Sequence, residues 1–520
     1  MRRRGFLFAA GATGLIPMAR ALACEPAHRI NPLKIGHADR FRSIDPAFAY
    51  GVSAVITRNI FPALCERFPK PSGGFGISKR VARSWSFSQD GTGKKKRLIL
   101  KLHPGLKWYG GRPLTAADVA ASYHRQLDLE DIGHATTVSD LIKSVTVISE
   151  TELEFLAKEP IDDENEFALE VLAGFRGTVL PETIALAFPI DEDTIGLYGK
   201  LSPSDLQTND FHMHGNRFTV ANFTKDAVTA LACFDGHGSG PNFRNVEFHH
   251  NPDHEALVQA LLEGRLHIIG PFNAPATSRS LQNAASKDGN ITVSTQAICA
   301  NYCAGVNVRA IDKNQREEVQ NQIAGAAHYI GTELAANLAL QSANLLTPSR
   351  SFIPAAITGT DFKPVERGLR PPKSSIATLS LGFRGSDPLA ETLAFSLKRA
   401  LSERGIDLQV RAEAETYVAE QGPDIFLYRS VSRTGTRRSM LDHVMRAIPD
   451  DAEDPLRELA SLGNQEAYFD KENTVLSDGS SAIIPLADVN VVYATSNDLN
   501  LAAALEPDGT LGELHRVDTL

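Results

Sequence analysis

Four arginines, Arg429, Arg433, Arg437 and Arg438, fall within ten residues at the end of a strand-like run, Asp424–Val431. A guanidinium presents a planar fork of N–H donors that fits a carboxylate or phosphate, so such a run is either an anion-binding surface or a solvated loop. Histidines gather at His212, His214, His237, His249, His250 and His254, but no helical i,i+4 pair and no carboxylate completes a ligand set. Exposed loop histidines are expected there. Cys299-x-x-x-Cys303 has a metal-like spacing with no second pair or nearby histidine, and reads as buried thiols or a single disulfide. No G-x-S-x-G, H-E-x-x-H, phosphate-cradling glycine loop or dinucleotide fingerprint occurs. These observations point away from an enzyme and predict no catalytic residues, no metal site and no cofactor.

The elements that position these residues alternate strand and helix patterns. Asp253 and Glu255 open a helix with Ala256, Leu257, Ala260 and Leu261 on one face, stopped at Gly264. Asp387-Pro388 places an N-cap and then Pro in the first turn of a helix that buries Leu389, Leu393, Leu397, Ala400 and Leu401. Strands are predicted at Ser374–Phe383, Ile406–Val410 and Asp424–Val431, which is the alternation of an α/β lobe. Tyr302–Val308 is a further strand, followed by a helical pattern from Gln315 to about Ala339. Ala482–Leu486 and Val489–Tyr493 read as two short strands.

The most informative stretch is residues 81–128. Strands at Ser84–Ser88 and Arg97–Leu102 flank a turn opening at Gln89-Asp90-Gly91. Pro104-Gly105 turns the chain into an aromatic strand, Lys107–Tyr109, and Gly110-Gly111-Arg112-Pro113 follows. Thr115 then starts a helix, its hydroxyl placed to cap the amide of Asp118 and Leu114 to staple onto Val119. Once a longer turn after Gly91 is allowed, Ala82, Ser84, Trp85, Ser88, Asp90, Gly91, Leu102, Gly105, Lys107, Gly111, Pro113, Thr115, Ala116, Asp118 and Val119 in this block stand in register with the pattern of a known family. The chain closely resembles the family 5 solute-binding proteins of bacterial ABC importers, which carry oligopeptides, dipeptides, nickel chelates and opines. A second likeness lies at Ile44–Leu64, where Gly51 and Pro62 replace the family's usual Asp and Glu.

The resemblance implies an α/β, two-lobed periplasmic binding protein (type II, cluster C-like) with an extra inserted domain in lobe one. Its main domain would comprise residues 24–60, 178–272 and 488–520, the inserted domain 61–177, and lobe two 273–487. The implied function is a substrate-binding component that closes on a small solute and delivers it to an ABC permease and its ATPase subunits. The alternative is a metal-chelate or haem-binding protein of the same fold, or a ligand sensor outside transport.

In peptide-binding relatives the strand matching Asp424–Val431 runs into a motif whose Asp, after a Trp, holds the peptide ammonium. Here Arg429 replaces Gly, Ser430 replaces the Trp and Arg433 stands where the Asp is expected. An ammonium facing a guanidinium is repelled, so an anionic or opine-like solute is expected rather than an ordinary peptide. The resemblance thus implies a ligand site at Phe48, Tyr50, Tyr428, Arg429, Ser430, Arg433 and Arg437, with core packing the alternative for Phe48 and Tyr50.

The ends and the charge set the setting. Arg3-Arg4 before Gly5-Phe6-Leu7, an apolar run to about Met18 and Ala21-Leu22-Ala23 form an export signal over residues 1–23 that resembles a twin-arginine signal. Cleavage there exposes Cys24, but Ala21 stands where a lipobox wants Leu, so a soluble periplasmic monomer is expected and a lipid anchor is the alternative. Arg2, Arg3, Arg4 and Arg20 leave with the signal, and the net charge goes from −9 to −13. Such an acidic surface argues against nucleic acid as a partner. At 520 residues the chain has length for two to four domains.

Overall fold

Ile291–Val306 and Ile483–Ser496 form two strands of 16 and 14 residues that run antiparallel and bind the molecule together. The computed structural model describes residues 32–519 apart from 41–45, 47–50, 71–72, 92, 109–110, 129–135, 188–217, 224–227, 234–242, 333–334, 350, 359–377, 414–421, 433, 449–453, 461–464, 479, 498, 502–503, 508 and 513. In chain order the strands are β1 (Leu33–His37), β2 (Cys65–Pro69), β3 (Phe75–Lys79), β4 (Ala82–Gln89), β5 (Lys95–Leu102), β6 (Ile142–Ser149), β7 (Glu152–Ala157), β8 (Phe218–Phe223) and β9 (Val228–Cys233). They continue with β10 (Asn245–His250), β11 (Ile268–Phe272), β12 (Ile291–Val306), β13 (Leu346–Pro348), β14 (Thr378–Arg384), β15 (Asp407–Glu413), β16 (Ile425–Val431) and β17 (Ile483–Ser496). The helices that matter to the site are α1 (Val52–Ile60), α2 (Ala116–Asp128), α3 (Glu164–Leu172), α4 (His254–Leu262), α5 (Pro275–Lys287), α6 (Lys313–Thr332), α7 (Pro388–Ser402) and α8 (Arg437–Met445).

Among the described residues one sheet runs β15-β14-β16-β12-β17-β11-β1-β10-β9-β8, with β13 added on β17. Its two halves share only the long pair. Residues 291–297 of β12 lie against 490–496 of β17, which continues to β11 and the parallel trio β11, β1 and β10. Residues 300–306 lie against β16, which continues through the parallel strands β14 and β15. Between the halves the β12–β17 register shifts twice, at Ala297/Asn301 and at Tyr302/Cys303. Bulges of this kind bend a strand pair and raise its twist, so the sheet turns from one lobe into the other there. The two short strands expected at 482–486 and 489–493 are one, because β17 must span both halves.

Residues 64–179 form a separate apolar cluster, built on the sheet β4-β5-β7-β6 and on Val119 and Tyr123 of α2. The block 81–128 holds it together, though not as expected at two points. Asp118, fully buried, accepts from the Thr115 backbone N–H at 2.9 Å, the reverse of a Thr115 cap. It also accepts from Trp108 Nε1 at 3.1 Å, Arg112 Nη2 at 2.5 Å and the Glu182 N–H at 2.8 Å. The aromatic stretch at Lys107 makes only an isolated bridge to Pro113, since Trp108 turns inward to reach this carboxylate.

Caps elsewhere follow the sequence. Asp253 accepts from Glu255 N at 2.9 Å and starts α4, and Asp387 accepts from Leu389 N at 3.1 Å and starts α7 ahead of Pro388. Cys65, Cys299 and Cys303 are buried free thiols, and burial pushes the Cys303 thiol up to about 12. A disulfide between Cys299 and Cys303 is therefore not formed. No helix among the described residues is long and apolar enough to cross a membrane.

Candidate functional site

Parallel strands end at a common edge, and β1, β10 and β11 bring their carboxyl ends together beside the crossing strands. In open α/β sheets the crevice beyond such ends is where ligands bind. A cavity of about 250 Å³ lies there, walled by His37, Ala38 and Asp39 after β1, Gly51 and Val52 at the start of α1, His254, Phe272, Asn273, Tyr493 and Thr510. Arg429 of β16 reaches it from the other half of the sheet. A side chain from the half of the sheet that holds β14, β15 and β16 thus faces a pocket of the half that holds β1, β10 and β11, and the cavity is a cleft between the two halves.

Each wall residue has a local reason to be there. His37 ends β1 nearly buried, and its Nδ1 lies 2.5 Å from the Asp39 carbonyl oxygen. Burial, with smaller contributions from His250 and His249, lowers it to about 4, so the ring is neutral near pH 7. Gly51 has φ +57°, and a Cβ there would stand 2.8 Å from Asp39 Oδ2. The replacement of the usual Asp by Gly51 is thereby explained: a side chain would be strained and would collide with the Asp39 carboxylate. His254, first residue of α4, has Nδ1 2.8 Å from Thr277 Oγ1, and its ring packs 4.9 Å from that of Phe272.

Arg429 pairs across the sheet with Tyr302, whose hydroxyl donates to Asp387 Oδ2 at 2.5 Å. Burial raises the Tyr302 hydroxyl well above its ordinary value, and the charge of Arg429 works against that rise. The Nε of Arg429 is itself buried and makes no hydrogen bond. An N–H held from water without an acceptor leaves a hydrogen bond to be made by an acceptor in the adjoining space.

The structure separates the residues that sequence reasoning had grouped. Tyr428 and Ser430 project from the other face of β16; Tyr428 packs with Phe426 at 5.7 Å between ring centres, and Ser430 is fully buried. Neither is among the residues that wall the cleft. Arg437 turns to the inserted segment, 3.8 Å from Glu166 and stacked over Tyr468 at 5.0 Å. Phe48, Tyr50 and Arg433 lie outside the described residues. His37, Asp39, His254 and Asn273 were missed, and their only signal is position: each follows or adjoins the carboxyl end of a strand in the parallel trio or the helix after it. The histidines otherwise have local partners, His249 Nε2 lying 3.1 Å from Glu247 and His250 Nε2 3.1 Å from the Ala38 carbonyl oxygen. His212, His214 and His237 fall outside the described residues.

Two sheet halves joined by crossing strands, with a cavity between them, define a two-lobed α/β fold of the periplasmic binding protein type. Residues 76–317 match the family described as bacterial extracellular solute-binding proteins, family 5 Middle, which bears out the resemblance carried by residues 81–128. Among curated proteins none matches the sequence. Solved structures share the fold at low identity. HbpA2 from Haemophilus parasuis has a TM-score of 0.71 at 15% identity over 94% of this chain and 99% of its own. An ABC transporter substrate-binding protein from Sinorhizobium meliloti has 0.68 at 18% over 94% and 99%. The periplasmic binding protein DppA from Helicobacter pylori, in complex with the peptide STSA, has 0.63 at 16% over 94% and 98%.

Proposed function

We propose that the protein is the periplasmic substrate-binding component of an ABC importer, closing its lobes on a small anionic or carboxylate-bearing solute and presenting it to a membrane permease with its ATPase subunits. The family match and the shared fold support the class. The ligand charge rests on one observation, the unmatched Nε donor of the half-buried Arg429 facing the cleft. The cavity of about 250 Å³ offers that solute a polar wall from both halves of the sheet. Opine-like conjugates and acidic dipeptides fall in that class.

Closure follows the physics of two states. Burying the solute expels water, so its polar groups need fixed partners, and only its greater affinity for the closed form shifts the population. The bulged crossing of β12 and β17 is the natural place for the bend. The domain division at 60/61, 177/178, 272/273 and 487/488 belongs to this reading and is supported by the separate apolar cluster of residues 64–179. So do removal of residues 1–23 through a twin-arginine route, a soluble monomeric mature protein beginning at Cys24, and the absence of turnover. Calorimetry tests the ligand: a panel of succinylated amino acids, sugar acids and acidic dipeptides should bind, and neutral tripeptides should not. Tight binding of trialanine, unaffected by Arg429→Ala, overturns the anionic reading and leaves a peptide carrier. Saturable binding of nickel–histidine with no solute of either panel would favour the metal-chelate alternative.

A further inference from the structure

On the far side of the inserted segment from its own sheet, α3 meets the N-terminus of α8. Asp163 caps α3, accepting from Asn165 N and Glu166 N at 2.9 Å, while Phe167, Ala168, Val171 and Leu172 bury into the cluster of residues 64–179. Glu166 and Glu170, spaced i,i+4, share a face that leaves that cluster and reaches the other lobe. Glu166 Oε1 accepts from the backbone N–H of Arg438 at 2.7 Å, in the first turn of α8 where a carboxylate complements the helix dipole. Glu170, only 1% exposed, accepts from Thr434 Oγ1 at 2.7 Å and also from the Thr436 hydroxyl. Thr436 is in turn the N-cap of α8, accepting from Ser439 N at 3.2 Å. Two further contacts cross at the same place: Gly74 N donates to the Ala356 carbonyl at 2.9 Å, and the Phe75 ring occupies the space where a Cβ on Gly435 would be.

We propose that Glu166 and Glu170 are positioning residues for ligand binding, a latch that holds the two lobes closed and sets the affinity for the solute without touching it. The proposal rests on the closure reading above. Both carboxylates belong to the segment 64–179, and all their α8-side partners belong to the apolar cluster that contains β16 and α8 or to the loop between those elements. That loop, Ser432–Thr436, begins three residues after Arg429. Ser432 Oγ accepts from Gly435 N at 3.1 Å and Thr436 N at 3.2 Å, so the residues that meet the latch are also tied to one another.

The charges around it are mixed. Arg437 and Arg438 face Glu166, and Arg438 and Arg446 face Asp442, but Asp140, Asp163 and Glu170 crowd the same space around a void of about 70 Å³. Burial raises Glu166, and it raises Asp442 to about 6. Holding several carboxylates together out of water works against the contact, so the latch is poised rather than permanent. Because the affinity of a solute scales with the fraction of protein already in the closed form, loosening the latch weakens every solute by one common factor.

The test pairs a variant on each side, Glu170→Ala and the near-isosteric Thr434→Val. Small-angle scattering of the ligand-free protein should give a larger radius of gyration for both than for the unaltered chain. Calorimetry with the solutes that pass the binding screen should show the same loss, roughly tenfold, for every one. Arg429→Ala, in contrast, should discriminate by ligand charge. A radius unchanged in both variants, with only a lower melting temperature, overturns the latch and leaves a static contact. A radius enlarged by both variants but unmoved by any solute in the unaltered chain keeps the latch and overturns the ligand reading instead.

Discussion

Two charged side chains, Asp118 fully buried and Arg429 half-buried with its Nε out of water, have opposite histories in this molecule. Around Asp118 every lone-pair direction is used: an indole N–H, a guanidinium and two backbone amides, from the stretch 108–115 and from Glu182, converge on it. Around Arg429 the Nε has no acceptor and the side chain looks into a cavity. A buried charge with its partners supplied by the same chain is a device of the fold; one with a partner missing is a request for something from outside. On the function proposed above, the difference separates what identifies the family from what would select the solute.

The largest effect should come from breaking the satisfied side. Asp118→Ala leaves the Trp108 N–H and two amides without acceptors and frees the Arg112 guanidinium. Loss of one member of a buried pair costs on the order of 3–5 kcal/mol, reduced somewhat here because Arg112 is 36% exposed. Chemical denaturation should register the loss in the unit formed by residues 64–179. On the other side, Arg429→Ala should cost roughly 2–5 kcal/mol of binding to an anionic solute, tens- to thousands-fold in Kd. The ligand-free protein should keep or gain stability, because the unmatched donor is removed. A large drop in ligand-free stability would make Arg429 another Asp118.

A buried titratable ring, His37, sharpens the contrast by its pH dependence. His37 is lowered from 6.5 to about 4 by burial, so the folded protein binds fewer protons than the unfolded chain between those values. The stability this contributes is complete above pH 6.5 and is lost as the pH falls through 4, about 3 kcal/mol in all. Asp442 and Asp488, both raised to about 6, act in the opposite sense: their contribution is present below 3.8 and lost as the pH rises through 6. The two trends overlap in one window, so the difference between the unaltered chain and His37→Asn is the measurement that isolates His37. Denaturant midpoints taken from pH 7 to pH 4 should show the unaltered chain losing about 3 kcal/mol more than the variant; parallel curves would mean that His37 takes up its proton in place.

How far the sequence reveals these roles depends on how local their causes are. Caps at Asp253 and Asp387, the stop at Gly264 and the hairpin of β4 and β5 need only neighbours within a few residues, and they are legible. Asp118 is legible as a conspicuous position in a motif, but the direction of its bond to Thr115 is not, because Glu182 and Trp108 help decide it. The run of β17 through both halves of the sheet depends on β12, nearly two hundred residues earlier. Arg429 stands out only as one of four arginines. Its parity along β16 puts it with Ile425 and Leu427, but both faces of that strand are buried, so alternation cannot say which face meets the cleft. Arg437 looked equivalent until its partner Glu166 came in from a segment about 270 residues away.

The smallest expected effect tests the comparison where the two kinds of residue touch. Asp253 is a device of the fold, a helix cap bonded to Glu255 N and Ala256 N, yet the next residue, His254, walls the cleft. If satisfied groups act on the fold alone, Asp253→Ala should lower stability by about 1 kcal/mol, the usual cost of a lost N-cap, and leave the affinity for anionic solutes within twofold. The ring of His254 should hold, since Thr277 and Phe272 fix it independently of the cap. Denaturation and calorimetry on the same preparation decide it. A loss of affinity larger than the loss of stability would show that the start of α4 is part of the ligand site, and the boundary between fold and site would then run one residue earlier than the hydrogen bonds place it.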